Sequence, residues 1–445
     1  MTSSFRVRGS ASLLLSAALL NATPVNAQQP AGPADTDPAK MGWMQGSPPP
    51  PDKRITFDDS AARQWPQMRW TFANYRELTK TARVSRGSEP IAALPVALRK
   101  DLDAVTFIPL GRTQPMTWAA AVEAVYADAV LILHRGRIVH ERYYGVMNPD
   151  QPHIAMSVTK SFIGTLTEML IAERLIDEGA QVSRYIPELA ASGFGDATVR
   201  QLLDMTTGIS YSEDYTDPKS DVAKFGVVAG MRPVPPGFSG PRAIYDYLPT
   251  ISKQGAHGDA FTYKTVNTEV LGWIIARVTG KRPHDVLSDR IWSRLGAEHD
   301  ADVIIDNAGS PALGGGLNPT LRDMARFGEA MRLGGRFNGQ QIIPALVIAR
   351  IRAGARKDDF TKAGYKTLPG WSYKSQWWVS HNAHGAYMAR GIHGQAIYID
   401  PKAEMVIVRF ASNPKAGNVN FDDISLPAYQ AIAEHLMRKS GKGNR

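Results

Sequence analysis

Strand-like apolar runs stand near both ends of the chain, and helical periodicity fills the residues between them. Residues 129–134 and 138–144 predict two strands of a hairpin, because a short turn separates two runs rich in β-branched and aromatic side chains. Near the other end, residues 396–400 and 405–410 predict a second pair of strands. Since every strand needs a partner for its backbone, both ends are expected to share one antiparallel sheet.

The helical period is clearest over residues 157–175, where Phe162, Leu166, Met169 and Leu170 recur three or four positions apart. Further helices are predicted at residues 199–205, 267–279, 320–333 and about 426–438. The sequence therefore predicts an α+β fold (an α/β sandwich). In it, helices flank the shared sheet, and an all-helical lobe occupies about residues 175–320.

The first 27 residues have the pattern of a secretory signal peptide. Two arginines precede a short apolar run, and the segment closes on Val25-Asn26-Ala27. A membrane anchor is the alternative, but the run is too short for a hydrocarbon core of about 30 Å. We therefore expect cleavage after Ala27, a secreted or periplasmic protein, and no stable membrane insertion afterwards. Residues 28–52 are rich in proline and predict a linker or a wrapping arm.

Composition excludes several function classes. The chain has no cysteine, so disulfides, a catalytic thiolate and zinc–thiolate sites are ruled out. The net charge of +9 is spread among acidic residues without a basic run, so it predicts a solvated surface and no nucleic-acid partner. P-loop, Rossmann and His-Glu-x-x-His patterns are absent, and no metal or organic cofactor is expected.

Ser157 and Lys160 begin the strongest predicted helix, three positions apart. Residues at this spacing share one helix face, so the hydroxyl and the amine can meet. A serine becomes a nucleophile when a base takes its proton, and a lysine serves as that base when burial lowers its pKa. The alternative is a helix-capping serine followed by a solvated lysine. The apolar surroundings favour the catalytic pair, because an unpaired buried lysine is costly.

Five segments, in order along the chain, resemble the motifs of serine β-lactamases and penicillin-binding enzymes of the class C type. They are Met156–Phe162, Asp204–Ile209, Phe261–Tyr263 with Asn267 and Val270–Trp273, Gly314–Leu317, and Gly391–Gln395. The resemblance covers roughly residues 105–438. It implies that residues 53–445 form a β-lactamase-like serine hydrolase domain with a β-lactamase/transpeptidase-like fold.

Three further segments resemble the 6-aminohexanoate-dimer hydrolase branch, which cleaves short linear amides and carboxylesters. They are Met41–Met44 with the following prolines, Glu213–Tyr215 with Asp217-Pro218, and Gln376–Trp378.

The resemblance makes Tyr263 a second base or proton shuttle beside Ser157 and Lys160. A phenol close to a lysine ammonium is expected to have a lowered pKa. The alternative is a tyrosine that only packs in the core. The family's usual Tyr-x-Asn is replaced here by Tyr263-Lys264-Thr265. Thr265 or Asn267 is therefore expected to supply part of the missing contact to a substrate amide.

The segment Ile392-His393-Gly394-Gln395 is expected to contribute to the oxyanion hole and to substrate binding. Acyl transfer needs two donors at the developing oxyanion, and the family takes one from the nucleophile's own amide. In the preferred register, Ile392 takes the position of the family's cation and Gln395 supplies the second amide. In the other, His393 takes that position and Ala396 supplies the amide. The preferred register leaves no cation for a β-lactam carboxylate, and His393 is equally consistent with a structural role.

Substrate contacts are expected from a loop and from a strand. In the 6-aminohexanoate-dimer hydrolase branch, a loop tyrosine donates to the substrate amide nitrogen, and Tyr215 is the best match for it. Tyr211 and Asp214 lie on the same loop. Neighbouring strand residues face opposite sides, so one of Trp377 and Trp378 should face the core and the other the cleft. Trp378 is taken as the cleft residue.

These features predict an exported serine hydrolase that cleaves a small ester or linear amide through an acyl-enzyme on Ser157. One alternative is a β-lactamase or D-Ala-D-Ala carboxypeptidase. Another, of a different class, is a penicillin-recognising or cell-wall-binding protein that acylates without turnover. A monomer or a homodimer is expected.

Overall fold

A seven-stranded antiparallel sheet joins the two parts of the chain that the sequence predicts as strands. Its strands in chain order are β1 (Ala127–His134), β2 (Arg137–Tyr143), β3 (Ser372–Lys374), β4 (Trp377–Val379), β5 (Tyr387–Arg390), β6 (Ala396–Asp400) and β7 (Met405–Ala411). Across the sheet the order is β3-β4-β5-β6-β7-β1-β2. Strand β7 pairs with β1, with Ile407 opposite Ile132, so the late strands close directly onto the early hairpin.

Helices cover both faces of this sheet. The four that position the site are α1 (Val158–Ala172), α2 (Val266–Thr279), α3 (Leu321–Arg332) and α4 (Asp422–Ser440). Helix α3 packs across β7, β6 and β1. Along β1, Leu131 and Leu133 join the hydrophobic core on the side of α3, whereas Val130 and Ile132 join the core on the side of α4. Because both faces are buried, residues 129–133 of β1 form a continuous apolar run.

The remaining elements are short. Other helices span Pro38–Met41, Met68–Thr71, Tyr75–Leu78, Trp118–Ala124, Val182–Tyr185, Val199–Leu203, Asp221–Val228, Ile244–Tyr247, Pro283–Arg290, Ala345–Ala353 and Asp358–Lys362. Thr81–Val84, Ala301–Ile304 and Leu317–Asn318 form a three-stranded sheet, and two two-stranded ribbons pair Thr106–Phe107 with Met116–Thr117 and Arg336–Phe337 with Gln340–Gln341. The predicted α+β architecture is confirmed, but the lobe over residues 175–320 is not all-helical, because the strands Ala301–Ile304 and Leu317–Asn318 lie within it.

The computed structural model describes Met1 and residues 31–440. The predicted signal peptide therefore lies, apart from Met1, outside the described residues. From Gly32 onward the described chain forms one compact unit. Arg69 donates to the carbonyl oxygen of Pro33 at 2.6 Å and to Oγ1 of Thr36 at 3.1 Å, which places this early segment against the body of the domain. Within residues 31–440, no helix is long and apolar enough to cross a membrane.

Helix α1 lies against the turn between β3 and β4 at Gly164. A Cβ atom on Gly164 would come within 2.2 Å of the carbonyl oxygen of Ser375 and 2.6 Å of Cβ of Gln376. One helical turn before Gly164, Ser161 donates to the carbonyl oxygen of Gln376 at 2.7 Å. The nucleophile helix is therefore held against the sheet at close backbone distance.

Candidate active site

Ser157 stands directly before the first residue of α1. Met156, just before it, has a φ of +46°, a left-handed conformation that L side chains rarely adopt. The side chain of Ser157 makes no capping hydrogen bond to the helix backbone, so Oγ remains directed toward other groups. The side chain of Thr159 braces this turn instead, donating to the carbonyl oxygen of Met156 at 2.7 Å.

Lys160 meets the serine as the spacing predicts. Its Nζ lies 3.0 Å from Oγ of Ser157 and also donates to the carbonyl oxygen of Gly314. The side chain is buried, and burial lowers the pKa of Lys160 to about 8, against the opposing effect of Glu213 and Glu269. About a tenth of Lys160 is therefore the neutral amine at pH 7 and about half at pH 8, and this neutral form is the one that can act as a base.

Tyr263 completes the cluster. Its hydroxyl hydrogen-bonds with Ser157, and Nζ of Lys160 lies 5.2 Å from the centre of its ring. The expected lowering of its pKa is wrong. Burial raises the pKa of Tyr263 far above its ordinary value, and the hydrogen bond from Ser157 offsets only part of this effect. The ring is enclosed by Trp378 and Tyr373, so desolvation of a phenolate outweighs the nearby amine.

Glu269, a residue to which the sequence motifs assign no role, lies beneath Lys160 on α2. It is buried, and its carboxylate accepts hydrogen bonds from the backbone N–H groups of Gly314 at 2.7 Å and Leu313 at 3.1 Å. Burial raises the pKa of Glu269 to about 7. Because the carbonyl of the same Gly314 receives the Lys160 amine, the carboxylate fixes the loop that holds the base.

A cavity of about 620 Å³ opens above Ser157 and Tyr263. Its walls combine aromatic side chains with a few charged ones. They are formed by Ser157, Glu213, Tyr215, Phe261, Thr262, Tyr263, residues 363–367, Trp378, Arg390, Ile392, residues 417–419 and Asp422. A cleft of this size and lining can hold a small organic substrate with the reacting atom beside Ser157.

The segment from Gly391 to Gln395 turns the chain from β5 into β6, and neither Gln395 nor Ala396, the amide donors of the two expected registers, lines the cavity. Arg390 pairs with Ala396, and the residues between them form this turn. Ile392 lines the cavity, whereas the Gln395 side chain bonds to the backbone of Ala411 on β7. A Cβ on Gly391 would come within 2.7 Å of the carbonyl oxygen of Ala155, which brings this strand end beside the nucleophile.

His393 and Gly394 do not reach the cavity lining. His393 lies at a φ of +63°, its Nδ1 is 2.7 Å from the carbonyl oxygen of Asn413, and its ring packs edge-on against Phe72. Burial lowers the pKa of His393 to about 4. These contacts support the structural role that the sequence left open.

Asn267 does not face the substrate side, contrary to expectation. It is fully buried on α2, where Oδ1 accepts a hydrogen bond from Thr207 at 2.8 Å and Nδ2 contacts the sulfur of Met205. Thr265 is also engaged, since its N–H and hydroxyl both donate to Glu213. Neither residue is placed to supply the amide contact of the family's missing Asn.

Tyr215 and Trp378 both line the cavity, and Trp377 packs in the core, where its indole N–H donates to Thr165 at 3.0 Å. The hydroxyl of Tyr215 donates to Oε1 of Glu213 at 2.5 Å. Glu213, which the sequence marks only as part of a motif, thus joins the site as the acceptor that orients the Tyr215 phenol. Asp214 is exposed and bonds to Thr216.

Arg390 and Asp422 also line the cavity, and sequence reasoning missed both. They form a buried ion pair, and the Arg390 guanidinium lies 5.0 Å from the centre of the Trp378 ring. A cation therefore does stand in the cleft, although a carboxylate neutralises it. The sequence feature that could have indicated this cation is the single arginine at position 390, which directly follows the apolar residues Tyr387-Met388-Ala389. Among the described residues, no group of three or more His, Asp or Glu is placed to hold a metal ion.

Comparison with known proteins gives consistent results. The Beta-lactamase family profile matches residues 118–426. The chain is 37% identical over 350 residues to the 6-aminohexanoate-dimer hydrolase of Paenarthrobacter ureafaciens, which covers 78% of this chain and 86% of the relative. A solved structure from Bacillus anthracis that carries the same enzyme name has a TM-score of 0.78 at 32% identity, covering 88% of this chain and 99% of the other.

A penicillin-binding protein homologue from Caulobacter crescentus shares the fold at 18% identity, with a TM-score of 0.53 over 71% of this chain and 97% of the other.

Proposed function

The chain belongs to the beta-lactamase family of serine hydrolases, with a β-lactamase/transpeptidase-like fold, and we propose that it hydrolyses small linear amides or carboxylesters through an acyl-enzyme on Ser157. The observation that carries this proposal is the contact of Ser157 with both Lys160 and Tyr263 at the floor of the cavity. A hydroxyl, an amine of lowered pKa and a phenol that meet beside an open cleft are the components of nucleophilic acyl transfer.

In the acylation step, Oγ of Ser157 attacks the substrate carbonyl carbon while neutral Lys160 takes the serine proton. The bond between the carbonyl carbon and the leaving nitrogen or oxygen then breaks. Tyr263, which stays a neutral phenol because of its raised pKa, gives its proton to the leaving group and is reprotonated from the Lys160 ammonium. The result is an ester on Ser157, a free amine or alcohol, and a neutral lysine.

The developing oxyanion needs two N–H donors. We assign one to the backbone of Ser157 and the other to the backbone of Ile392. The assignment of Ile392 is supported by its position in the cavity wall and by the close approach of Gly391 to Ala155. Water then attacks the acyl-enzyme carbonyl and gives its proton to Lys160. The bond between the carbonyl carbon and Oγ of Ser157 then breaks, Oγ takes the proton back from Lys160, and the carboxylic acid is released.

The substrate class follows from the relatives and from the cleft. The protein with 37% identity is named for the hydrolysis of the 6-aminohexanoate dimer, a linear amide. The aromatic lining of Tyr215, Tyr263, Tyr365 and Trp378 fits a short, flexible aliphatic chain better than a large polar one.

Replacement of the nucleophile tests the proposal. The Ser157→Ala variant should lose hydrolysis of p-nitrophenyl butyrate and of a linear dimer of an ω-amino acid by at least about a thousandfold, because no acyl-enzyme can form. Ser161→Ala is the matched control, since Ser161 lies one turn further along α1 and bonds to Gln376 outside the cavity. Activity that survives in Ser157→Ala, or equal losses in both variants, would reject the assignment.

Turnover separates hydrolysis from mere acylation. The hydrolase should release p-nitrophenol at a steady rate over many equivalents, whereas a cell-wall-binding protein would give one stoichiometric burst. A chromogenic cephalosporin in the same assay tests the β-lactamase alternative.

Export is a separate part of the proposal, and it is supported by the arginines, the apolar run and the Val25-Asn26-Ala27 ending of the N-terminal segment. Intact mass measurement of the protein recovered from the native host should show loss of residues 1–27. Retention of those residues would contradict export by this signal.

A further inference from the structure

One wall of the cavity carries an ion pair that the acyl-transfer reaction does not use. Arg390, at the end of β5, and Asp422, the first residue of α4, both line the cavity, and their side chains are only 4% and 5% exposed. Arg390 stands two residues before Ile392, whose amide we assign to the oxyanion hole. The pair therefore shares the cavity with Ser157 and with the proposed oxyanion donor.

Both partners are held in place by further contacts. The Arg390 guanidinium stacks on Trp378 at 5.0 Å. Asp422 accepts a second hydrogen bond from Thr367 at 3.1 Å, and the N-terminus of a long helix favours an anion at its position. Arg409 lies nearby, but its own donors are directed to Gly394 and Ser425. The carboxylate of Asp422 thus has a fixed position against one guanidinium.

A lone arginine in a substrate cleft would recognise a carboxylate, because its planar fork matches two carboxylate oxygens. Here one nitrogen of that fork, Nη2, already donates to Oδ1 of Asp422. A substrate carboxylate placed within hydrogen-bond reach of Arg390 would either displace the Asp422 carboxylate or lie close to it. Two like charges that close repel each other strongly in a desolvated site. Glu213 adds another carboxylate to the same cavity lining.

We propose that Asp422 determines specificity by occupying Arg390, so that this wall of the cleft accepts an uncharged part of the substrate and rejects a carboxylate. The inference rests on the proposed hydrolase function and narrows its substrate class. It places any carboxylate of an amide substrate away from the wall of Arg390, toward the solvent end of the cleft.

The Asp422→Asn variant tests this proposal through a gain of activity. Two pairs of ester substrates are compared, and the members of each pair differ only in whether a remote carboxylate is free or methylated. In the first pair this carboxylate is on the acyl chain (p-nitrophenyl adipate and its methyl ester). In the second pair it is on the leaving group (the butyrate of 3-hydroxybenzoate and its methyl ester). In the unmodified enzyme the methyl ester should be preferred in both pairs. In Asp422→Asn the ratio of kcat/KM for the carboxylate over the methyl ester should rise at least tenfold in one pair.

Asp423→Asn is the matched control, because this neighbour pairs with Arg112 and does not line the cavity. The gain should vanish in the double variant Asp422→Asn/Arg390→Gln. An unmodified enzyme that prefers the carboxylates, no rise in either pair, or a rise that persists in the double variant would overturn the proposal. Should Asp422→Asn fail to fold, Asp422→Ser gives the same comparison. The unmodified enzyme should cleave the p-nitrophenyl and butyrate esters of the methylated substrates whether or not Asp422 determines specificity. Absence of that cleavage would therefore reject the hydrolase assignment, which keeps the two proposals distinguishable.

Discussion

Replacement of Glu269 by glutamine should move the acid limb of the pH–rate profile to lower pH. Lys160 must be neutral to accept the serine proton, and two carboxylates, Glu213 and Glu269, stabilise its ammonium form. Glutamine keeps the size of the side chain and removes the charge. The Lys160 amine should therefore lose its proton more easily, and the fraction of active enzyme at mildly acidic pH should increase.

The size of this effect follows from the geometry. Lys160 donates to the carbonyl of Gly314 and Glu269 accepts from the amide of the same residue, so a single residue separates the two charges. Unit charges about 6 Å apart interact by about 3 kcal/mol at an effective dielectric constant of about 20, which corresponds to about 2 pKa units. Since the pKa of Glu269 is about 7, its carboxylate is mostly ionised near pH 8, where Lys160 titrates, and a shift of between about one and two pKa units is expected.

The assay is kcat/KM for p-nitrophenyl butyrate as a function of pH, followed at the isosbestic wavelength of the product. Glu188→Gln, at an exposed position paired with Arg277, is the matched control and should leave the limb in place. A loss that is purely structural would lower kcat/KM equally at every pH. An acid limb that stays unchanged in Glu269→Gln, or moves to higher pH, would refute the electrostatic role of this carboxylate.

Two further predictions concern stability. Gly164→Ala should lower the free energy of unfolding by about 1–3 kcal/mol, because its Cβ would collide with Ser375, whereas Gly179→Ala, with its nearest atom 3.5 Å away, should have little effect in the same thermal melts. His393 has a pKa of about 4 in the folded protein against 6.5 ordinarily, so between those pH values the unfolded chain binds more protons and stability falls as pH falls. His393→Asn should reduce this acid sensitivity in urea titrations, and an unchanged slope would contradict the prediction.

The sequence predicted the elements whose periodicity reflects burial. Residues 129–133 of β1 and 405–408 of β7 are all apolar because helices cover both faces of the sheet, and α1 and α2 are rich in apolar residues because each buries most of its surface. The main helix boundaries agree within a few residues, although α4 begins at Asp422 rather than near residue 426.

The failures concern residues whose role depends on a partner far away in the chain. Arg390 and Asp422 are 32 positions apart, and neither has a local pattern that announces the other. Glu269 interrupts an apolar helix, which signals a buried carboxylate, but its acceptor role depends on Leu313 and Gly314. Local spacing predicted the pair of Ser157 and Lys160 because three positions on one helix fix that geometry by themselves.

The raised pKa of Tyr263, where a lowered one was predicted, changes which proton transfer is assigned to Lys160 and which to Tyr263. A nearby positive charge lowers a phenol's pKa, but desolvation of the phenolate raises it, and for the buried ring of Tyr263, packed against Trp378 and Tyr373, desolvation is the larger effect. Burial favours the neutral form of both groups: it lowers the pKa of Lys160 and raises that of Tyr263. The same desolvation that makes the lysine a base thus keeps the tyrosine a proton donor. It follows that the acid limb of the pH profile reports the deprotonation of Lys160 and not of Tyr263, and that Tyr263 serves the leaving group.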